Sequence, residues 1–217
     1  LEAIREFAEF NSGFRIAMRD LEIRGAGNLL GAEQSGHLID VGYDMYLKLL
    51  EEAVLEEKGE KPVNRASSTA DLAVTANIPE SYVASSEQRM DLYRRIALIR
   101  TEADADDVLD ELIDRFGEPP DSVTALVRVA LLRGEAGRAG ITDISQKAGA
   151  LRFTLSAFDM RRVSELYARP EFKGRLRVEA GSVPRISLKL PPKSRVLDEA
   201  SRFAAAWAET DKYSKED

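Results

Sequence analysis

The sequence predicts an α+β protein: an N-terminal helical hairpin and a long helix, then a mixed α/β domain whose small, partly antiparallel sheet packs on helices. Three observations predict it. Apolar residues recur at helical spacing through the first sixty residues and again between Ser85 and Arg138. The period changes to two after Gly140, and GEKPVNRASST, a polar stretch with a proline and no periodicity, separates the two parts. A boundary near residue 65 gives units of 1–65 and 66–217.

Ile4, Phe7 and Ala8 place residues 1–10 at the end of a helix that Asn11-Ser12-Gly13 stops. Residues 14–23 form a second short helix, with Phe14, Ala17, Met18 and Leu21 on one face and Arg15, Arg19 and Glu22 on the other. The loop around DLEIRGAGNLLGAEQSG (20–36) follows, and Asp40 caps a third helix running to about Lys58.

In the second part, Leu72, Val74, Ala76 and Ile78 alternate with polar residues, which predicts a strand over 70–78 ended by Pro79. Ser85 and Gln88 read as a capping box before a helix on Leu92, Tyr93, Ile96 and Ile99. The next helix turns Val108, Leu109, Leu112 and Phe116 inward and stops at Gly117 and Pro119-Pro120. A longer helix covers 123–138. Strand signals at 141–146 and 151–155 flank a turn at Lys147-Ala148-Gly149, and a short helix spans 160–169. Strands over 176–180 and 186–190 make a second hairpin through Gly181-Ser182. A final helix over 195–209 buries Leu197, Ala200, Phe203, Ala204 and Trp207, with a frayed end from Thr210.

Composition narrows the chemistry. The 217 residues carry 44% hydrophobic and 32% charged residues, and no apolar run approaches the roughly 20 residues of a membrane span. There is no cysteine, which removes thiolate catalysis and cysteine-ligated zinc and fits a reducing, cytoplasmic location. His37 is the sole histidine, too little for a histidine metal cage or a Ser-His-Asp triad. Net charge is -7, against a free-standing non-specific nucleic-acid binder, yet its distribution is uneven. Residues 104–118 are acidic, whereas Lys147, Arg152, Arg161, Arg162, Arg169, Lys173, Arg175, Arg177, Arg185, Lys189, Lys193 and Arg195 make the later third basic. On predicted strands these cations fall largely at outward positions, where they also protect edges from aggregation.

Gly25, Gly27 and Gly31 superficially match a dinucleotide fingerprint, but the preceding residues are amphipathic in the helical sense rather than a strand. No P-loop motif occurs, so ATP is not expected to bind in that manner. The plainer reading is a glycine-rich helix stop and turn.

GFRIAMRDLEIRGAGNLLGAEQSG (13–36) resembles the translocation motif shared by the bacterial transcription-repair coupling factors (Mfd) and the RecG helicases. NIPESYVASSEQRMDLYRRIALIRTEADADDVLDELIDRFGEPP (77–120) resembles the C-terminal domain of the coupling factors rather than RecG. The resemblance implies the tail of a multidomain ATP-dependent translocase on double-stranded DNA, acting with RNA polymerase. The opening helix would end its second motor lobe, the motif would couple lobe closure to DNA movement, and the C-terminal domain would regulate. ATP and magnesium would belong to motor lobes outside this chain, which would hold no cofactor, metal or catalytic residue and be inactive alone. The first residue, Leu1, lies within a periodic helix, which also reads as a fragment. Arg24 and Gln34 match the motif's functional arginine and glutamine; a guanidinium fork and an amide can relay a change in lobe position without titrating, and the glycines let the backbone move.

Asp107, Glu111 and Asp114 fall on one helical face, a pattern that usually marks a solvated surface. The resemblance implies a sharper role: a clamp that masks the N-terminal surface recruiting the damage-recognition protein UvrA, with Glu111 and Asp114 as the acidic contact. Two other classes stand beside this one, a protein-interaction module independent of DNA and a nucleotide-binding enzyme.

Overall fold

The computed structural model describes residues 68–179 and 181–212. The readings placed on residues 1–67, including the glycine loop, the helix from Asp40 and the boundary near 65, lie outside the described residues. In chain order the elements are β1 (Thr69–Asp71), α1 (Ser86–Ala97), α2 (Glu102–Phe116), α3 (Asp121–Arg138), β2 (Ile141–Lys147), β3 (Ala150–Leu155), α4 (Met160–Ala168), a 3-10 turn (Pro170–Phe172), β4 (Leu176–Glu179), β5 (Arg185–Lys189) and α5 (Val196–Lys212). The five strands form one sheet in the order β1-β2-β3-β5-β4. β1 is parallel to β2 and every other pairing is antiparallel, so the predicted mixed α/β domain with a partly antiparallel sheet is the observed one.

Two hairpins organise the sheet. Ala148 and Gly149 turn β2 into β3 with φ of 46° and 76°, both in the left-handed region that a two-residue I′ hairpin loop requires. Glycine fits the second position at no steric cost. β4 and β5 form the second hairpin, and β5 pairs with β3.

The predicted strand at 70–78 is shorter than its alternation implied. After Asp71 the backbone leaves the ladder: Val74 N–H donates to Leu72 C=O at 2.8 Å, Asn77 N–H to Ser122 C=O at 3.2 Å and Ile78 N–H to the Tyr93 hydroxyl at 2.9 Å. Leu72 and Ile78 are nonetheless buried. The period of two records alternate burial of an extended segment whose backbone bonds within itself, to a β2 side chain and to helices instead of to a strand ladder. The capping signals shift as well. Ser85 accepts from Gln88 N–H at 3.3 Å, but the reciprocal box forms at the next helix, between Thr101 and Asp104. Nor does the last helix fray at Thr210: α5 continues to Lys212, and the Thr210 hydroxyl is buried, donating to Trp207 C=O at 2.7 Å.

The core forms where α3 and α5 meet one face of the sheet. Phe153 of β3 stacks on Phe203 of α5 with centroids 3.7 Å apart, and Phe172 meets Phe203 edge-on at 5.8 Å. Trp207 donates its indole N–H to Ala139 C=O at 3.1 Å while the Arg162 guanidinium lies over its ring at 4.0 Å. Helix α3 is buried on almost every side, by α1, α2, α5, β1 and β2. At Gly134 its backbone lies against the turn between α1 and α2: an added Cβ would sit 2.8 Å from Arg100 Cα and 3.1 Å from its carbonyl oxygen. Helix propensity would reward alanine here by about 1 kcal/mol. Because the obstructing atoms are backbone, Gly134→Ala is expected to destabilise the fold by about 1–2 kcal/mol net, measured as a lower urea midpoint with an unchanged slope.

Candidate functional site: the acidic end of the second helix

The turn that touches Gly134 also starts α2. Asp104 Oδ2 accepts from the N–H of Arg100 at 2.9 Å and of Thr101 at 2.8 Å, and Asp104 N–H donates to Thr101 Oγ1 at 3.2 Å. The Arg100 N–H, then Thr101, hold the Asp104 carboxyl below its ordinary value of 3.8. Leu112 and Ala105 are buried, and Val108, Leu109 and Phe116 are half-buried, which fixes the helix's rotation. At the far end Gly117, with φ of 81°, donates to Ile113 C=O at 2.9 Å and stops the helix.

This frame gives the two acidic residues singled out above different surroundings. Glu111 is claimed on both sides: Arg95 of α1 pairs with Oε2, and Arg115, one turn on, donates to Oε1 at 2.6 Å. Asp114 and Asp107 are exposed. Around Asp114 the surface is mixed. Ile113 is 46% exposed, and the Arg115 guanidinium lies over the Phe116 ring at 4.9 Å. Phe116 meets Tyr82 at 6.0 Å, and the Tyr82 hydroxyl donates to Gly117 C=O at 2.8 Å, with Leu112 C=O as a longer alternative acceptor at 3.2 Å. Burial, then the charge of Glu118, raises the Tyr82 pKa. An exposed aliphatic side chain flanked by one free carboxylate and one guanidinium, on a helix end tied down at both termini, is equipped to dock a protein surface.

The Glu111–Arg115 pair was legible in the sequence as an i, i+4 spacing. Arg95, Tyr82 and the exposure of Ile113 were not, because they depend on how α1 and the segment before it lie on α2. Arg24, Gln34, Gly25, Gly27 and Gly31 lie outside the described residues. The basic third divides: Arg162 donates to Trp207 C=O and Thr210, Arg169 pairs with Glu209 at 2.8 Å, and Arg175 pairs with Glu199, so these cations hold α4 and the β4 edge to α5. Among the described residues no group of three or more acidic or histidine side chains is placed to hold a metal ion, and no helix is long and apolar enough to cross a membrane.

Residues 72–165 match the TRCF domain family. The chain carries a TRCF domain and belongs with the transcription-repair-coupling factors. It is 43% identical over 157 residues to the transcription-repair-coupling factor of Bacillus subtilis, an alignment covering 72% of this chain and 13% of that protein. With the factor of the same name from Staphylococcus haemolyticus it shares 38% identity over 179 residues, 81% of this chain and 15% of the relative. The chain thus spans about a seventh of the length of these relatives. Its fold is similar to a crystal structure of the C-terminal domain of a transcription-repair coupling factor, with a TM-score of 0.61 at 20% identity, covering 70% of this chain and 99% of that one. The acidic end of α2 falls within the matched TRCF domain.

The Asp104 cap gives the domain an acid limb. A carboxyl whose folded pKa is lowered contributes stability that is fully present above its unfolded value and lost as pH falls through the folded one. Asp104→Asn is therefore expected to cost about 1 kcal/mol at pH 7, with the difference from the parent closing as pH drops below 3.8; urea melts across that range measure it.

Proposed function

We propose that this chain is the C-terminal part of an ATP-dependent double-stranded DNA translocase acting in transcription-coupled nucleotide excision repair, and that its TRCF domain restrains that machine. In this reading the end of α2 clamps a basic surface of the parent's N-terminal region and so masks the site that recruits UvrA. The observation that carries it is the contrast between Glu111 and Asp114: the first is bound by two arginines of its own domain, and the second stands exposed beside Ile113. Glu111 then positions Arg95 and Arg115 and keeps the surface in shape, while Asp114 and Ile113 are left to meet the partner. ATP hydrolysis, magnesium and the RNA polymerase contact belong to the rest of the parent.

Residues 20–36 would be the coupling element, with Arg24 and Gln34 relaying lobe closure to DNA. A docking module independent of DNA would account for α2 equally well but leaves the 13–36 run unexplained.

In the full-length protein, Asp114→Ala is expected to raise UvrA affinity several-fold without lowering the melting temperature. Equal affinity with the parent removes the clamp. Glu111→Ala should raise affinity too, but with a loss of thermal stability, since it frees two arginines. Arg24→Ala in the same protein should leave basal ATP hydrolysis largely intact while slowing displacement of a DNA triplex; an unchanged displacement rate counts against the coupling role.

A further inference from the structure

One face of the sheet is packed, and the other carries exposed or half-buried side chains. Ile144, Phe153 and Ile186 share a row across β2, β3 and β5 and are fully buried, as are Leu151 and Leu188 in the next inward row. The alternate positions form the opposite face. There Lys147, Ala150 and Lys189 make one row, and Ser145, Arg152, Ser187 and Arg177 the next. Lys147, Lys189 and Arg177 are exposed and Arg152 is half-buried. None of the four pairs with a carboxylate among the described residues, whereas Arg162, Arg169 and Arg175 of the same basic third do.

The two lysines lie two strands apart, as do the two arginines, a separation of about 9.5 Å from the strand spacing. Carboxylates bound the patch: Asp71 ends the arginine row on β1, and Asp143 and Glu179 occupy the third row. Asp143 is itself occupied, accepting from Thr69 Oγ1 at 2.7 Å.

What the patch lacks decides its partner. No aromatic side chain lies in these rows, so there is no platform for unstacked bases. No apolar side chain larger than Ala150 lies there either, and a protein partner is ordinarily held by buried apolar or aromatic anchors. Paired guanidinium and ammonium groups with serine hydroxyls between them are the donor set that recognises phosphate oxygens. We propose that the opposite face of the sheet, through Lys147, Arg152, Arg177 and Lys189, is a sequence-independent contact for the phosphate backbone of a duplex nucleic acid. It is separate from the acidic end of α2 and from residues 20–36, and it stands whether or not either has the role proposed above.

The test is anisotropy of a labelled random-sequence duplex with the intact chain, between about 50 and 200 mM salt. Arg177→Ala should lower the magnitude of the log–log salt slope by about 0.9, and Arg177→Ala with Lys189→Ala by about 1.8. Both side chains are exposed, so unchanged circular dichroism is expected. Arg94→Ala, on α1, should leave the slope as it was. Three results overturn the proposal. These are no salt-dependent binding by the intact chain, a slope unchanged in the double variant while Arg24→Ala lowers it, or displacement of the duplex by polyglutamate as effective as by unlabelled duplex at matched charge.

Discussion

The contact between Gly134 and the backbone of Arg100 sets the distance at which the α1–α2 turn lies on the central helix. Because the two backbones touch, neither can approach further and neither has a flexible side chain to absorb an error. Arg138, one turn beyond Gly134, donates to the carbonyl of the same Arg100, so the turn is held from two points of α3. The N–H of Arg100 meanwhile feeds the cap of α2. One residue of the turn thus links the buried helix to the first turn of the surface helix. The direction in which α2 points, and with it the position of Asp114, follows from a packing contact some three turns away.

Charge is put to two uses in this domain. Where an arginine reaches across elements, it works as a fastener: Arg162 over Trp207, Arg175 on the buried Glu199, Arg95 on Glu111. Guanidinium suits this because one planar group can stack and donate at once, as Arg162 does to Trp207. Where cations line the other sheet face, Lys147, Arg152, Arg177 and Lys189 pair with no carboxylate among the described residues. The same residue type is structural in one place and unclaimed in the other, and only the neighbouring element distinguishes the two.

These features leave the TRCF domain with two chemically opposite surfaces. The end of α2 offers a carboxylate and an aliphatic side chain, and the sheet offers ammonium and guanidinium groups with hydroxyls. The aromatic contacts of Phe153, Phe172 and Phe203 join the sheet to α5, while α3 joins the sheet to α2, so both surfaces belong to one packed body.

The amino-acid sequence determined the local order of this protein. The change of period after Gly140, the Ala148-Gly149 turn, the Gly117 stop and the stripes of α3 and α5 each depend on neighbours within a few residues, and all are observed. It also determined that Glu111 could meet Arg115. Tertiary structure decided the rest. Leu72 to Ile78 alternates like a strand, yet its backbone found partners on α1, in the first turn of α3 and on a β2 side chain rather than in a strand ladder. Thr210 looked like a polar end and became buried because Arg162, 48 residues earlier, reaches its hydroxyl. Whether Glu111 or Asp114 was the free carboxylate rested on Arg95, carried by a different helix. Periodicity records which side of an element is apolar; which polar groups remain unclaimed depends on contacts between residues far apart in the chain, and those exist only once the helices have packed.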